Sequence, residues 1–166
     1  MGPSRVIWRV MELQVENVQS YPRPPALEPV PQPLRIELGG AIVARTTAAL
    51  RVLETHHAPT YYIPPDDVLV ELTAAPGRSF CEWKGTAAYW TVTAGGTVAT
   101  AAAWSYASPT PRFAALEGYL AFYPGLMGAC WVGDVRVTPQ PGDFYGGWVT
   151  PNLTGIVKGD AATRHW

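Results

Sequence analysis

Charge is scarce in this sequence: only 15% of the residues are Asp, Glu, Lys or Arg, and the formal net charge is -1. No dense cluster of Lys or Arg appears anywhere along the chain. A nucleic-acid partner needs a basic face and a polybasic membrane anchor needs a basic cluster, so neither partner class is expected. Long apolar runs are lacking too, and nothing approaches the roughly 20 consecutive apolar residues of a membrane-spanning helix. The opening stretch, MGPSRVIWRVMELQVENVQS, has neither an apolar segment of signal-peptide length nor a small-residue cleavage pattern. It is expected to belong to a mature, cytoplasmic protein. Asn152-Leu153-Thr154 matches the glycosylation sequon and, without an export signal, is expected to be a chance match.

Cysteine is sparse as well. Cys81 and Cys130 are far apart and neither belongs to a C-x-x-C, which favours two reduced, packed thiols over a bridge. No pair among Cys81, Cys130, His56 and His57 has the spacing of a zinc ligand pair. Neither a metal nor a cofactor is therefore expected.

What is abundant sets the fold class. The 166 residues are 48% hydrophobic, which excludes a disordered chain and fits one domain with a sizeable core. The 17 prolines and 16 glycines argue against long helices, and the 7 tryptophans and 8 tyrosines favour strands and pockets. A mainly β domain with one or two short helices and ordered Pro/Gly-rich arms is the expectation.

Residues 1–20 show no clear period and read as an N-terminal extension that frays in part. The single domain then spans 21–166. Its first segment, 21–33, carries six prolines and reads as an extended arm on the surface. Leu34-Arg35-Ile36-Glu37-Leu38 alternates apolar and polar and leads through Gly39-Gly40 into a second strand, the signature of a hairpin. Thr46 or Thr47 is placed to cap a short helix over 48–54. Val68, Val70 and Leu72 alternate as in a strand, and Ala75-Pro76-Gly77 reads as a turn. Strands are expected over 80–84, 88–93 and 97–103, with a hairpin at Gly95-Gly96 and another at Gly133-Asp134, and a short helix over 112–118. From 139 to 166 the chain is irregular but keeps Phe144, Tyr145, Trp148 and Trp166, so it reads as a second arm pinned by its rings.

Several segments resemble the bacterial family catalogued as domain of unknown function 427. They are Leu50-Arg51-Val52-Leu53-Glu54-Thr55, Tyr61-Tyr62-Ile63-Pro64, Cys81-Glu82-Trp83-Lys84-Gly85, Ala103-Trp104-Ser105-Tyr106 and Tyr119-Leu120-Ala121-Phe122-Tyr123. Tyr21-Pro22-Arg23-Pro24-Pro25 and the stretch from Phe144 to Pro151 are similar to a longer form of that family. The resemblance implies compact, antiparallel coiled sheets, tent-like or a partial barrel. A nucleotidyltransferase label is sometimes attached to the family. That chemistry needs paired carboxylates on Mg²⁺ and a phosphate-cradling loop, whereas Asp66-Asp67 are adjacent and the Gly-Gly pairs read as turns.

Candidate chemistry centres on the run 80–84. Period two sets Phe80, Glu82 and Lys84 on one face and Cys81, Trp83 and Gly85 on the other. An acid and a base beside a phenylalanine suit general acid/base work in a pocket; an exposed salt bridge is the bland alternative. Glu54 is the second carboxylate, with Arg51 one helical turn back as its expected structural partner. Lys84, Glu82, Glu54 and Tyr62 form the candidate acid/base set. Tyr61, Trp83, Trp104, Tyr106 and Trp148 are the candidate ligand contacts. Cys81 with His56 or His57 as base is a weaker alternative, because packed cysteines are commoner. The reading is a small cofactor-independent enzyme that moves protons on an apolar or aromatic-rich organic molecule, in a cyclisation, isomerisation or hydrolysis. A non-catalytic module binding a small molecule or peptide in the same aromatic pocket is the alternative, and a protein docking through its arms is a third. A homo-oligomer stays open.

Overall fold

A computed structural model describes residues 13–142 and 144–163. The strands, in chain order, are β1 (Glu16–Asn17), β2 (Ala26–Pro29), β3 (Leu34–Leu38), β4 (Ala41–Thr46), β5 (Leu50–Leu53), β6 (Thr60–Tyr62), β7 (Leu72–Cys81) and β8 (Gly85–Ala94). They continue as β9 (Thr97–Tyr106), β10 (Leu120–Phe122), β11 (Ala129–Val132), β12 (Val135–Arg136), β13 (Thr138–Pro139), β14 (Trp148–Val149) and β15 (Leu153–Thr154). Helical structure among the described residues is confined to 3₁₀ turns at Val18–Ser20, Pro65–Asp67, Pro111–Leu116 and Pro124–Leu126. The protein is mainly β, and among the described residues the sheets do not close into a barrel. No helix among the described residues is long and apolar enough to cross a membrane.

Two four-stranded antiparallel sheets, β10-β9-β8-β7 and β12-β11-β3-β4, and the three-stranded sheet β2-β5-β6 form the body. β3 shows why the pattern folds this way. Leu34, Ile36 and Leu38 are buried, while Arg35 and Glu37 point outward and pair at 2.8 Å. The turn after it needs glycine for two reasons. Gly39 has φ +61°, and a Cβ there would lie 2.5 Å from the Ala94 carbonyl oxygen. The tips of the β3–β4 and β8–β9 hairpins therefore meet backbone to backbone.

The main core runs between these sheets through Leu34, Ile36, Val43, Ile63, Phe122 and Trp148. A second apolar cluster, with Val52, Tyr62, Trp104, Tyr106, Phe113 and Leu116, backs the cavity described below. Burying a large aromatic side chain stabilises by about 2–3 kcal/mol before ordering costs, so these clusters fix the sheet orientations.

The structure corrects several local expectations. Residues 48–54 form no helix. Thr46 Oγ1 does accept the Ala48 N–H at 2.9 Å, but this bond turns the chain, and Leu50–Leu53 becomes the central strand of its sheet, paired on both edges. Pairing on both sides outweighs a weak local helix preference. The run 68–72 is not a strand; Val68 makes one bridge to Ala44, and β7 begins at Leu72. Ala75-Pro76-Gly77 is a bulge within β7, where the register shifts between Ala75 and Arg78. The run 80–84 is not one strand either: β7 ends at Cys81 and Glu82-Trp83-Lys84 make the turn into β8. The expected helix over 112–118 is the 3₁₀ turn Pro111–Leu116, kinked at Phe113.

Both arms are built into the fold. Ala26–Pro29 in the proline arm is the edge strand beside β5, a place that tolerates missing N–H groups. The fraying expected for residues 1–12 lies outside the described residues. Glu16–Asn17, by contrast, pairs in parallel with β15, and Val18 is fully buried. In the C-terminal arm Trp148 N–H donates to the Pro59 carbonyl at 2.8 Å and Lys158 N–H to the His56 carbonyl at 2.7 Å.

Candidate functional site

A cavity of about 290 Å³ opens where the end of β5, β6, the β7–β8 turn, β9 and the C-terminal arm converge. Lys84, Glu82, Glu54, Tyr62, Trp83, Trp104 and Tyr106 all line it. The β7–β8 turn, not strand alternation, brings Glu82 and Lys84 to its wall. Glu82 is exposed at the mouth, and Lys84 lies half-buried with Nζ 6.0 Å from the Tyr106 ring centroid.

Tyr61 and Trp148 do not line the cavity. Successive residues of β6 face opposite ways, so Tyr62 reaches the cavity while Tyr61 packs in the main core. The Tyr61 and Trp148 rings stack there at 4.9 Å. Trp148 is 1% exposed, and its Nε1–H donates to the Phe122 carbonyl at 3.2 Å. The backbone of Gly146 takes the place beside the cavity instead. A methyl at Gly146 would overlap the Trp104 ring, so only glycine lets the arm lie flat against that indole.

The expected Arg51–Glu54 pair is also absent, because residues three apart on a strand point to opposite faces. Arg51 instead bridges Glu16 at 3.1 Å and Glu28 at 2.5 Å, holding the first strands together. Glu54 meets Arg23 of the proline arm at 3.6 Å.

The residue pair with the most defined geometry is His57, named above only as a possible base for Cys81, and Gln140, which no local pattern marks. Gln140 is 1% exposed. Its Oε1 accepts the Ala58 N–H at 3.2 Å, which orients the amide so that Nε2 is the donor. Nε2 donates to the Lys158 carbonyl at 2.9 Å and faces His57 Nδ1 at 3.2 Å. Nδ1 is therefore the acceptor, and the proton of the neutral ring sits on Nε2. Burial pushes the His57 pKa down to about 4, with Lys158, Lys84, Arg23 and His56 adding repulsion. The imidazole is uncharged at neutral pH, with Tyr145 edge-on at 4.9 Å.

Tyr62 and Tyr106 are pushed above the ordinary phenol range, mainly by burial. The Tyr62 hydroxyl is fully buried beside Trp104 and Tyr106. Both hydroxyls stay protonated at neutral pH. Cys81 lies on the cavity wall as a free thiol; Cys130 is a buried free thiol whose pKa burial raises to about 12. No group of three or more His, Cys, Asp or Glu among the described residues is arranged to hold a metal ion.

Residues 26–133 match the family model described as Domain of unknown function (DUF427), so the chain belongs to that family. No curated protein matches the chain.

Proposed function

We propose, from membership of the DUF427 family and from the cavity's geometry, that the protein is an acid/base enzyme acting on a small, largely apolar organic carbonyl compound. The observation that carries this reading is the fixed, neutral His57. Gln140 holds Nδ1 as acceptor, which leaves Nε2–H as an uncharged donor among aromatic walls. An uncharged imidazole polarises a carbonyl without needing to change its own protonation state. The buried Tyr62 ring backs the same wall.

In this reading Trp83, Trp104 and Tyr106 receive the flat apolar body of the substrate. Glu54 removes a proton from the carbon next to the carbonyl, and the electron pair moves onto the carbonyl oxygen. His57 donates to that oxygen, and Lys84 offsets the developing charge. Return of the proton to another carbon gives an isomer; attack by the enolate carbon on an electrophile within the same molecule gives a ring. Glu82, at the mouth, is placed to exchange protons with solvent.

A non-catalytic binding module is the second reading, and the Arg23–Glu54 ion pair at 3.6 Å favours it, since that contact already engages the carboxylate. Deuterium exchange into the methyl group of acetophenone, followed by proton NMR in D₂O, separates the two. Exchange above the buffer rate that is lost in Glu54→Gln supports the enzyme. Saturable binding without exchange supports the module. Neither binding nor exchange overturns both.

A further inference from the structure

We propose that the cavity is the deep half of a two-part site, and that the groove beyond it takes the uncharged apolar arm of an elongated ligand. This rests on the reading of the cavity as a ligand site and extends it to the shape of the ligand. The groove measures about 560 Å³ against about 290 Å³ for the cavity. Ligand sites commonly span roughly 300–1,000 Å³, so the cavity alone is at the small end.

The two spaces adjoin. Tyr89, Tyr123, Gln140, Phe144 and Tyr145 line both. These shared residues form the boundary between them. Tyr123 is its pivot: its ring packs 4.6 Å from Trp104 on the cavity side, and its hydroxyl donates to the Phe144 carbonyl at 3.4 Å. Phe144 itself is 69% exposed, so the rim presents an aromatic ring to solvent. Beyond it the walls include Pro124, Leu126, Pro139 and Ala101. Among the described lining residues Arg78 alone is charged; it is exposed, and its guanidinium donates to the Gly77 carbonyl at 2.7 Å. The groove is thus suited to a neutral arm.

The sheet is deformed at this place and on both sides of β8. The β7 bulge puts Pro76 and Gly77 on the groove. On β9 the register against β8 shifts between Trp90 and Val92, and Ala101 adopts φ 52° with its N–H donating to Thr91 Oγ1 at 3.2 Å. Ala101 also lines the groove. A left-handed non-glycine residue is strained, and bulges re-aim strands beside binding sites. Two such irregularities converging on one apolar groove are accounted for by a ligand that lies in it.

The test is a chain-length series of acetophenone with 4-ethyl, 4-butyl and 4-hexyl substituents, titrated into the full-length protein by NMR. The expected result is a fall in Kd of about two- to fourfold per added methylene until the groove is filled. In Leu126→Asp that dependence flattens. If acetophenone binds and the alkyl chain brings no gain or weakens binding, the groove inference is overturned while the reading of the cavity stands. If neither acetophenone nor any alkyl member binds, the reading of the cavity falls and the inference falls with it. The wild-type series alone decides the matter should Leu126→Asp fail to fold.

Discussion

Acidification tests the central residue of the site through stability. His57 has a folded pKa of about 4 against an ordinary value of 6.5, because burial and the neighbouring cations disfavour the imidazolium. In the unfolded chain the ring takes up a proton at the higher value. Between the two values the unfolded state binds more protons, so stability falls as pH drops through that window. Linkage with these two pKa values gives a loss of about 2 kcal/mol on going from about pH 7.5 to about pH 5. The comparison is between wild type and His57→Gln, because carboxylates common to both proteins cancel in the difference. The glutamine variant loses the ring contact with Tyr145 and is less stable at the higher pH. Its additional loss on acidification, however, is smaller than that of wild type by about 2 kcal/mol. Equilibrium urea unfolding at the two pH values measures this, and the His57 Cε1 proton shift gives the titration directly. Equal losses in both proteins, or a His57 resonance that titrates near its ordinary value, would refute the neutral donor on which the proposed chemistry depends.

Two substitutions probe the arm that closes the site. Trp148→Ala removes a ring that is 1% exposed and strands the Phe122 carbonyl, so unfolding by urea is expected to show a loss of about 3–5 kcal/mol; a loss below about 1 kcal/mol contradicts its placement in the core. Gly146→Ala drives a methyl into the Trp104 ring and is expected to displace the indole, weakening acetophenone binding about tenfold or more, which is about 1.4 kcal/mol. Unchanged affinity together with unchanged tryptophan fluorescence would show that the arm does not pack on Trp104.

Local chemistry carried much of the architecture in the sequence. The alternation Leu34-Arg35-Ile36-Glu37-Leu38 with Gly39-Gly40, the turns at Gly95-Gly96 and Gly133-Asp134, and the scarcity of helix signals are each read over a few residues, and the hairpins stand where they indicate. The family was legible for a similar reason, since short stretches such as Cys81-Glu82-Trp83-Lys84-Gly85 carry it. Most of the cavity's candidate residues were named too, because tryptophan, tyrosine and charged side chains announce their chemistry by type.

What tertiary structure alone decided is which of those residues meet. Tyr61 and Tyr62 are equivalent in sequence, and only the sheet packing sends one to the core and the other to the cavity. Leu50–Leu53 fits a helix turn as well as a strand until β2 and β6 bracket it. Gln140, between two prolines, carries no local signal; its role comes from hydrogen bonds to Ala58, His57 and Lys158, the first two 82 and 83 residues away along the chain. Periodicity and turn chemistry are short-range properties of the chain. The tautomer and charge of His57 depend instead on burial and on groups brought in by a distant arm, and these exist only once the sheets have packed.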